Sequence, residues 1–188
     1  DIHGADGLGG CALPETEKKD ASESGIFYMY SRIMGLSEGE TVTLVPTGPM
    51  TNIALLLRTF PEVRERIGRI VFMGGSSGAG NVTPAAEFNI WADPEAAQMV
   101  FAAGLPMVMC GLDVTLQSGL YGGQIEKLCR SDRQAERACG RMLRFYLDTT
   151  RHEGEENMVA IHDAVTILYL TNSELFAGRN VTVNVDCG

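Results

Sequence analysis

Five residues, Arg69-Ile70-Val71-Phe72-Met73, limit the fold more than any other part of the chain. The run is almost continuously apolar and stops at Gly74-Gly75. A strand of that kind is covered on both faces, as inside a parallel sheet with helices on each side. Two more runs look like strands. Residues 41–45 are rich in β-branched side chains and end at Pro46-Thr47-Gly48-Pro49; residues 105–112 are mostly apolar. Between them lie segments with helical spacing. Ile26, Phe27, Tyr30, Ile33 and Met34 form one stripe, closed by Gly35. A second helix begins near Thr51 and ends near Phe60-Pro61, and a short one covers 63–67. Another starts with Asp93 as N-cap, Pro94 at the first helical position and Glu95 in the first turn, and stops near Gly104. Further on, 124–148 reads as one long amphipathic helix with its break at Gly140. A helix opens at 161–164, and 181–185 reads as a last strand. This order predicts an α/β fold, a mainly parallel sheet flanked by helices, in a single domain over 1–188.

Composition narrows the function classes. The net charge is −9, the opposite of the basic surface that binds nucleic acid, although neutral nucleosides stay open. The five cysteines, Cys11, Cys110, Cys129, Cys139 and Cys187, contain no C-x-x-C pair. They read as reduced, mostly buried thiols of a cytoplasmic protein. No apolar run is long enough to cross a bilayer and no signal peptide is visible, so no membrane partner is expected.

The stretch Ala86-Glu87-Phe88-Asn89-Ile90-Trp91-Ala92-Asp93 is the strongest site candidate. Read as extended, it points Glu87 and Asn89 to one side, a carboxylate beside a carboxamide, a pairing that suits a polyol such as a sugar. The loop before it, Gly74 to Gly80, ends in Asn81. Its spacing is neither G-x-G-x-x-G nor a Gly-Lys-Ser/Thr loop, so it reads as a loop delivering Asn81 and Glu87 rather than as a phosphate cradle. His162-Asp163 pairs a group that titrates near neutrality with a hard-cation ligand, or else simply opens a helix. His3 lies in a glycine-rich segment that reads either as a close-approach loop or as a frayed end. Trp91, Met107 and Met109 are expected in the core.

Together these pieces resemble the inosine-uridine preferring nucleoside hydrolases. The matching blocks are Ile2-His3-Gly4 with Gly7-Leu8-Gly9; Leu44-Val45-Pro46-Thr47-Gly48-Pro49 with Thr51-Asn52-Ile53-Ala54; Met73-Gly74-Gly75; Gly80-Asn81 with Thr83; Ala86-Glu87-Phe88-Asn89-Ile90; Asp93-Pro94-Glu95-Ala96-Ala97; Gly111-Leu112-Asp113-Val114-Thr115; and His162-Asp163. The resemblance implies hydrolysis of the N-glycosidic bond of a ribonucleoside to free base and ribose. It implies a Ca²⁺ cofactor, with a backbone carbonyl from Thr47 and a carboxylate from Asp163 among its ligands. Asn81, Glu87 and Asn89 would hold the ribose hydroxyls, and Met73 would line the same pocket. His162 would sit by the departing base as its acid. His3 matches a second base-side histidine of the uridine- and pyrimidine-preferring members. His152 is a further candidate for the border of the base site. Members are commonly homo-oligomers, dimers or tetramers.

The family's Asp-rich opening motif, Asp-x-Asp-Pro-Gly-x-Asp-Asp, which supplies most metal ligands and the water-activating base, is absent from this sequence. The chain therefore reads as an internal part of such an enzyme, with the sugar-holding half of the site. Two alternatives to catalysis stand at this stage. One is a truncated, inactive product that at most binds nucleoside or ribose. The other is a sugar- or nucleotide-binding module without chemistry. Base preference stays open.

Overall fold

The computed structural model describes residues 3–20, 22–150 and 157–188. His152 lies outside them. In chain order the elements are α1 (Gly25–Met34), β1 (Val42–Leu44), α2 (Thr51–Thr59), a 3₁₀ turn (Pro61–Arg66), β2 (Ile67–Met73), α3 (Phe88–Trp91) and α4 (Pro94–Phe101). Then come β3 (Met107–Cys110), α5 (Leu112–Thr115), β4 (Gly119–Tyr121), α6 (Gly122–Cys129), α7 (Gln134–Thr150), β5 (Met158–Ala160) and α8 (Ala164–Thr171). A final 3₁₀ turn covers Ser173–Leu175. Contacts divide the chain into two compact units. The larger holds residues 21–116 and 162–188, the smaller 1–20 and 117–161.

The larger unit is an α/β layer structure. Its sheet has the order β1-β2-β3, and both pairings are parallel, with Leu44 opposite Ile70 and Met73 opposite Cys110. The apolar run at 69–73 lies in the central strand. Its side chains alternate between two cores, as a pleated strand requires. Ile70 and Phe72 are buried with Ile33 of α1, Ile53, Leu56 and Leu57 of α2, and Ala97 and Val100 of α4. Val71 turns the other way and meets Cys110 and Val165, with Tyr169 and Leu170 of α8 packed alongside. Asp93 caps α4 by accepting from the Ala96 amide at 3.0 Å, and Pro94 follows in the first turn.

The smaller unit contains β4 and β5, an antiparallel pair, with α6 and α7. Its core is built on Ile125, Leu147 and Val159.

Several expectations change. The helix expected over 124–148 is two helices, separated at Arg130–Arg133 and not at Gly140. At Gly140 the two pack closely: a Cβ there would lie 2.5 Å from the Cys129 backbone nitrogen. The glycine serves contact between helices, not a break within one. Residues 181–185 form no strand, because a β-branched run becomes a strand only when a ladder accepts it. β4 and β5 are short and carried no periodic signal. Trp91 is 52% exposed and not in the core. Only Cys11 and Cys110 are buried; Cys139 and Cys187 are exposed, and all five are free thiols.

Candidate functional site

The three parallel strands deliver their following loops at their carboxyl ends, where α/β sheets assemble sites. Pro46-Thr47-Gly48-Pro49 follows β1, Gly74-Gly75 follows β2, and Gly111 to Thr115 follows β3. The Met73 amide donates to the Pro46 carbonyl at 3.0 Å and the Leu112 amide to the Gly75 carbonyl at 2.9 Å, so neighbouring loops are tied together.

Glu87 and Asn89 are both buried in this region, at 3% and 8% exposure. They do not share a side by strand alternation, as the extended reading supposed. Residues 88–91 form one helical turn, and Glu87 is its N-cap. The Glu87 carboxylate accepts three backbone amides. Asn89 donates to Oε1 at 3.0 Å; Gly75 at 2.9 Å and Ile90 at 3.2 Å donate to Oε2. Gly75 adopts φ +72°, a conformation that turns its amide toward the carboxylate without the steric cost a side chain would add. An ionised carboxylate offers about four acceptor sites, so roughly one remains for another donor.

Asn89 is fixed in the other sense. Its Nδ2 donates to the Met73 carbonyl at 3.1 Å and lies 3.2 Å from the Met73 sulfur. Because the Met73 carbonyl can only accept, the amide nitrogen must face it, and Oδ1 is the end turned elsewhere. Exposed Asn81 has the opposite polarity. Its Oδ1 accepts from the Phe88 amide at 2.9 Å, which leaves the NH₂ as its outward group. The glycine loop is also held from β3's side, since Asp113 accepts from the Ser77 amide at 3.3 Å.

His162 is half-buried at the entrance to α8, and its Nδ1 lies 2.8 Å from the hydroxyl of Thr115, which is fully buried. Burial pushes the imidazole below its usual range, opposed by the nearby carboxylates of Asp163 and Glu87. Glu87 is thus close enough to His162 for its charge to act on the ring. Asp163 occupies the N-cap position of α8 but makes no capping hydrogen bond with its side chain. Thr47 and Asp163 are both exposed. Among the described residues, no group of three or more His, Cys, Asp and Glu side chains is placed to hold a metal ion.

A cavity of about 600 Å³ opens beside the network, lined by Gly75, Ser76, Glu87, Ile90 and Met109, with residues 181–186 along one wall. Met73, Glu87 and Asn89 are thus brought into one bonded network, with Asn81 joined to it through Phe88. His162 stands within electrostatic reach. His3 belongs to the smaller unit, where its ring stacks on Tyr146 at 5.3 Å and 11°. Its glycine-rich segment is a folded turn and not a frayed end: the Gly9 amide donates to the His3 carbonyl at 2.9 Å, and Asp6 accepts from Leu8 at 2.8 Å and Gly10 at 3.2 Å. Sequence reasoning treated Thr115 only as part of a matching block. Its one available signal was that block's position at the exit of a strand.

The fold that carries this network, a parallel sheet with helices packed on it, is shared with known ribonucleoside hydrolases. All 188 residues match the inosine-uridine preferring nucleoside hydrolases, and the chain belongs to that family. The pyrimidine-specific ribonucleoside hydrolase RihA of Enterobacter sp. (strain 638) is 42% identical over 188 residues, covering 98% of this chain and 59% of that protein. The RihA of Photobacterium profundum is 43% identical over 187 residues, with 98% and 59% covered. Among solved structures, a purine-preferring ribonucleoside hydrolase from Gardnerella vaginalis superposes with a TM-score of 0.90 at 32% identity, over 98% of this chain and 58% of that one. The chain thus spans just under three fifths of the length of these relatives.

Proposed function

We propose that the protein hydrolyses the N-glycosidic bond of a ribonucleoside, releasing free base and ribose. The observation that carries this reading is the Glu87–Gly75–Asn89–Met73 network, buried at the carboxyl end of the sheet in a chain of this family. Breaking a glycosidic bond develops positive charge on the sugar. The spare acceptor site of Glu87 and the Oδ1 of Asn89 would take hydrogen bonds from ribose hydroxyls, and the Asn81 NH₂ would give one. These groups are held in place before the substrate arrives, so they are aligned for the charge as it grows. Met73 would line the sugar pocket. His162 would give a proton to the departing base, and His3, stacked on Tyr146, would be a second base-side histidine.

Ca²⁺ takes six to eight oxygen ligands. The Thr47 carbonyl and the Asp163 carboxylate have the right hard-oxygen chemistry, but two donors do not make that site. A nucleoside is the expected small-molecule partner, in a cytoplasmic homo-oligomer. Among the described residues no helix is long and apolar enough to cross a membrane. The RihA relatives favour a pyrimidine nucleoside as substrate.

The test is a hydrolysis panel of uridine, cytidine, inosine and adenosine, run on the full-length protein and on the same protein with Glu87→Ala or His162→Ala. Base release that falls by at least a hundredfold in both variants, with the fold retained, is the expected result. Unchanged turnover in both would refute the assignment. Nucleoside binding without base release would favour a binding module.

A further inference from the structure

The Thr115–His162 contact reaches beyond the roles that the resemblance implies. Thr115 closes the single helical turn α5 at the exit of β3, with its amide bonded to the Gly111 carbonyl at 3.0 Å. Its side chain is fully buried, and a buried hydroxyl proton is nearly always given to an acceptor. Among the described residues the acceptor its hydroxyl reaches is His162 Nδ1, at 2.8 Å. A neutral imidazole carries one proton, and the bond at one nitrogen decides which nitrogen holds it.

We propose that Thr115 is a positioning residue for His162: by donating to Nδ1 it holds the ring as the Nε2–H tautomer and fixes its plane. The ring then presents a proton, not a lone pair, at the nitrogen opposite Thr115. That is the form a base-side hydrogen-bond donor needs: as the glycosidic bond breaks the electron pair leaves with the base, and Nε2–H bonds to the charge that builds there, a role a neutral imidazole fills without itself becoming an anion. The backbone supports the same geometry. Thr115 is held by the turn after β3 and His162 by the start of α8, where its carbonyl accepts from the Val165 amide at 3.2 Å. Both anchors belong to the larger unit.

The inference rests on the reading of His162 as the acid, so the experiment separates the two. Thr115→Val removes the hydroxyl and keeps the shape; Thr115→Ser keeps the hydroxyl. With uridine, Thr115→Val should lower kcat by about ten- to a hundredfold, part of what a positioned acid supplies, with KM within about twofold. Thr115→Ser should restore most of it. A riboside whose leaving group departs unprotonated, 4-nitrophenyl riboside, should be cleaved at nearly the parent rate by all three proteins. Nitrogen-15 spectra of labelled histidine should show the Nε2–H tautomer for His162 in the parent and in Thr115→Ser, and a mixture in Thr115→Val. An Nδ1–H tautomer in the parent would overturn the proposal. So would parent-like uridine turnover in Thr115→Val when His162→Ala has lost it. If His162→Ala itself keeps full turnover, the acid reading falls and takes this one with it. Should Thr115→Val not fold, the tautomer in the parent and in Thr115→Ser decides the matter.

Discussion

Replacing Glu87 by Gln tests whether the carboxylate, and not merely its shape, organises the site. The two side chains are nearly isosteric, but an amide oxygen offers two acceptor sites where a carboxylate offers about four. The best fit puts the Gln oxygen at the Oε2 position, where it keeps the bonds from Gly75 and Ile90. The NH₂ then meets the Asn89 amide, now 3.0 Å from Oε1, donor against donor. One charge-assisted bond is lost, at about 1.5–3 kcal/mol, and a buried amide is stranded, with an overlapping cost of about 1–3 kcal/mol. The expected net loss is about 2–3 kcal/mol, roughly 30- to 150-fold in the opening equilibrium of this turn. Amide hydrogen exchange reads it directly: protection at Gly75, Asn89 and Ile90 should drop by that factor, while Ile70 and Phe72 in the middle of β2 change little. Glu87→Ala should lose all three bonds and more stability still. If Glu87→Gln leaves exchange at the three amides within about twofold of the parent, the carboxylate is not what holds the loop.

Two further outcomes are expected. Asp93 caps α4 and also accepts a hydrogen bond from the Thr51 hydroxyl at the start of α2, so Asp93→Ala should cost about 1–2 kcal/mol in urea denaturation and Thr51→Val less. Burial, aided by the Asp113 charge, pushes the Cys110 thiol up to about 11. At pH 8 only about one in a thousand of such thiols is ionised, so maleimide should label exposed Cys139 and Cys187 and spare Cys110 until the chain unfolds. The sign of the linkage follows: the raised thiol stabilises the fold fully below its unfolded value near 9, and that contribution fades as the pH rises through about 11. Alkylation of native Cys110 at pH 8 as fast as that of Cys187 would contradict the burial argument.

Most of the larger unit was legible in the sequence because its signals are local. The apolar run of β2, the Asp93-Pro94 start of α4 and the Gly35 stop of α1 each carry their own physical cause. In the smaller unit the helical pattern over 124–148 was legible too, apart from its break, but the strands were not. β4 and β5 are three residues each and exist by pairing with one another, a contact between distant positions that no window of sequence displays. The same limit misplaced 181–185, which has strand composition but no ladder. Within the site, residue identities were readable from the matching blocks while the geometry was not. Glu87 and Asn89 come together through an N-cap and a helical turn, because the carboxylate competes successfully for the amides of residues 89 and 90. The Thr115–His162 bond spans 47 positions and has no sequence signature at all.

That bond also bears on how the chain can vary. The stretch between Thr115 and His162 leaves the larger unit and rejoins it at two points pinned 2.8 Å apart. Lengthening a loop whose ends are already joined costs little, about 0.6 kcal/mol for each doubling. A change in the length of residues 117–161 is therefore cheap for the Thr115–His162 pair, whose anchors are the turn after β3 and the start of α8. The hydrogen bond is a clasp on a long excursion of the chain, and its energy depends little on the length of what it encloses.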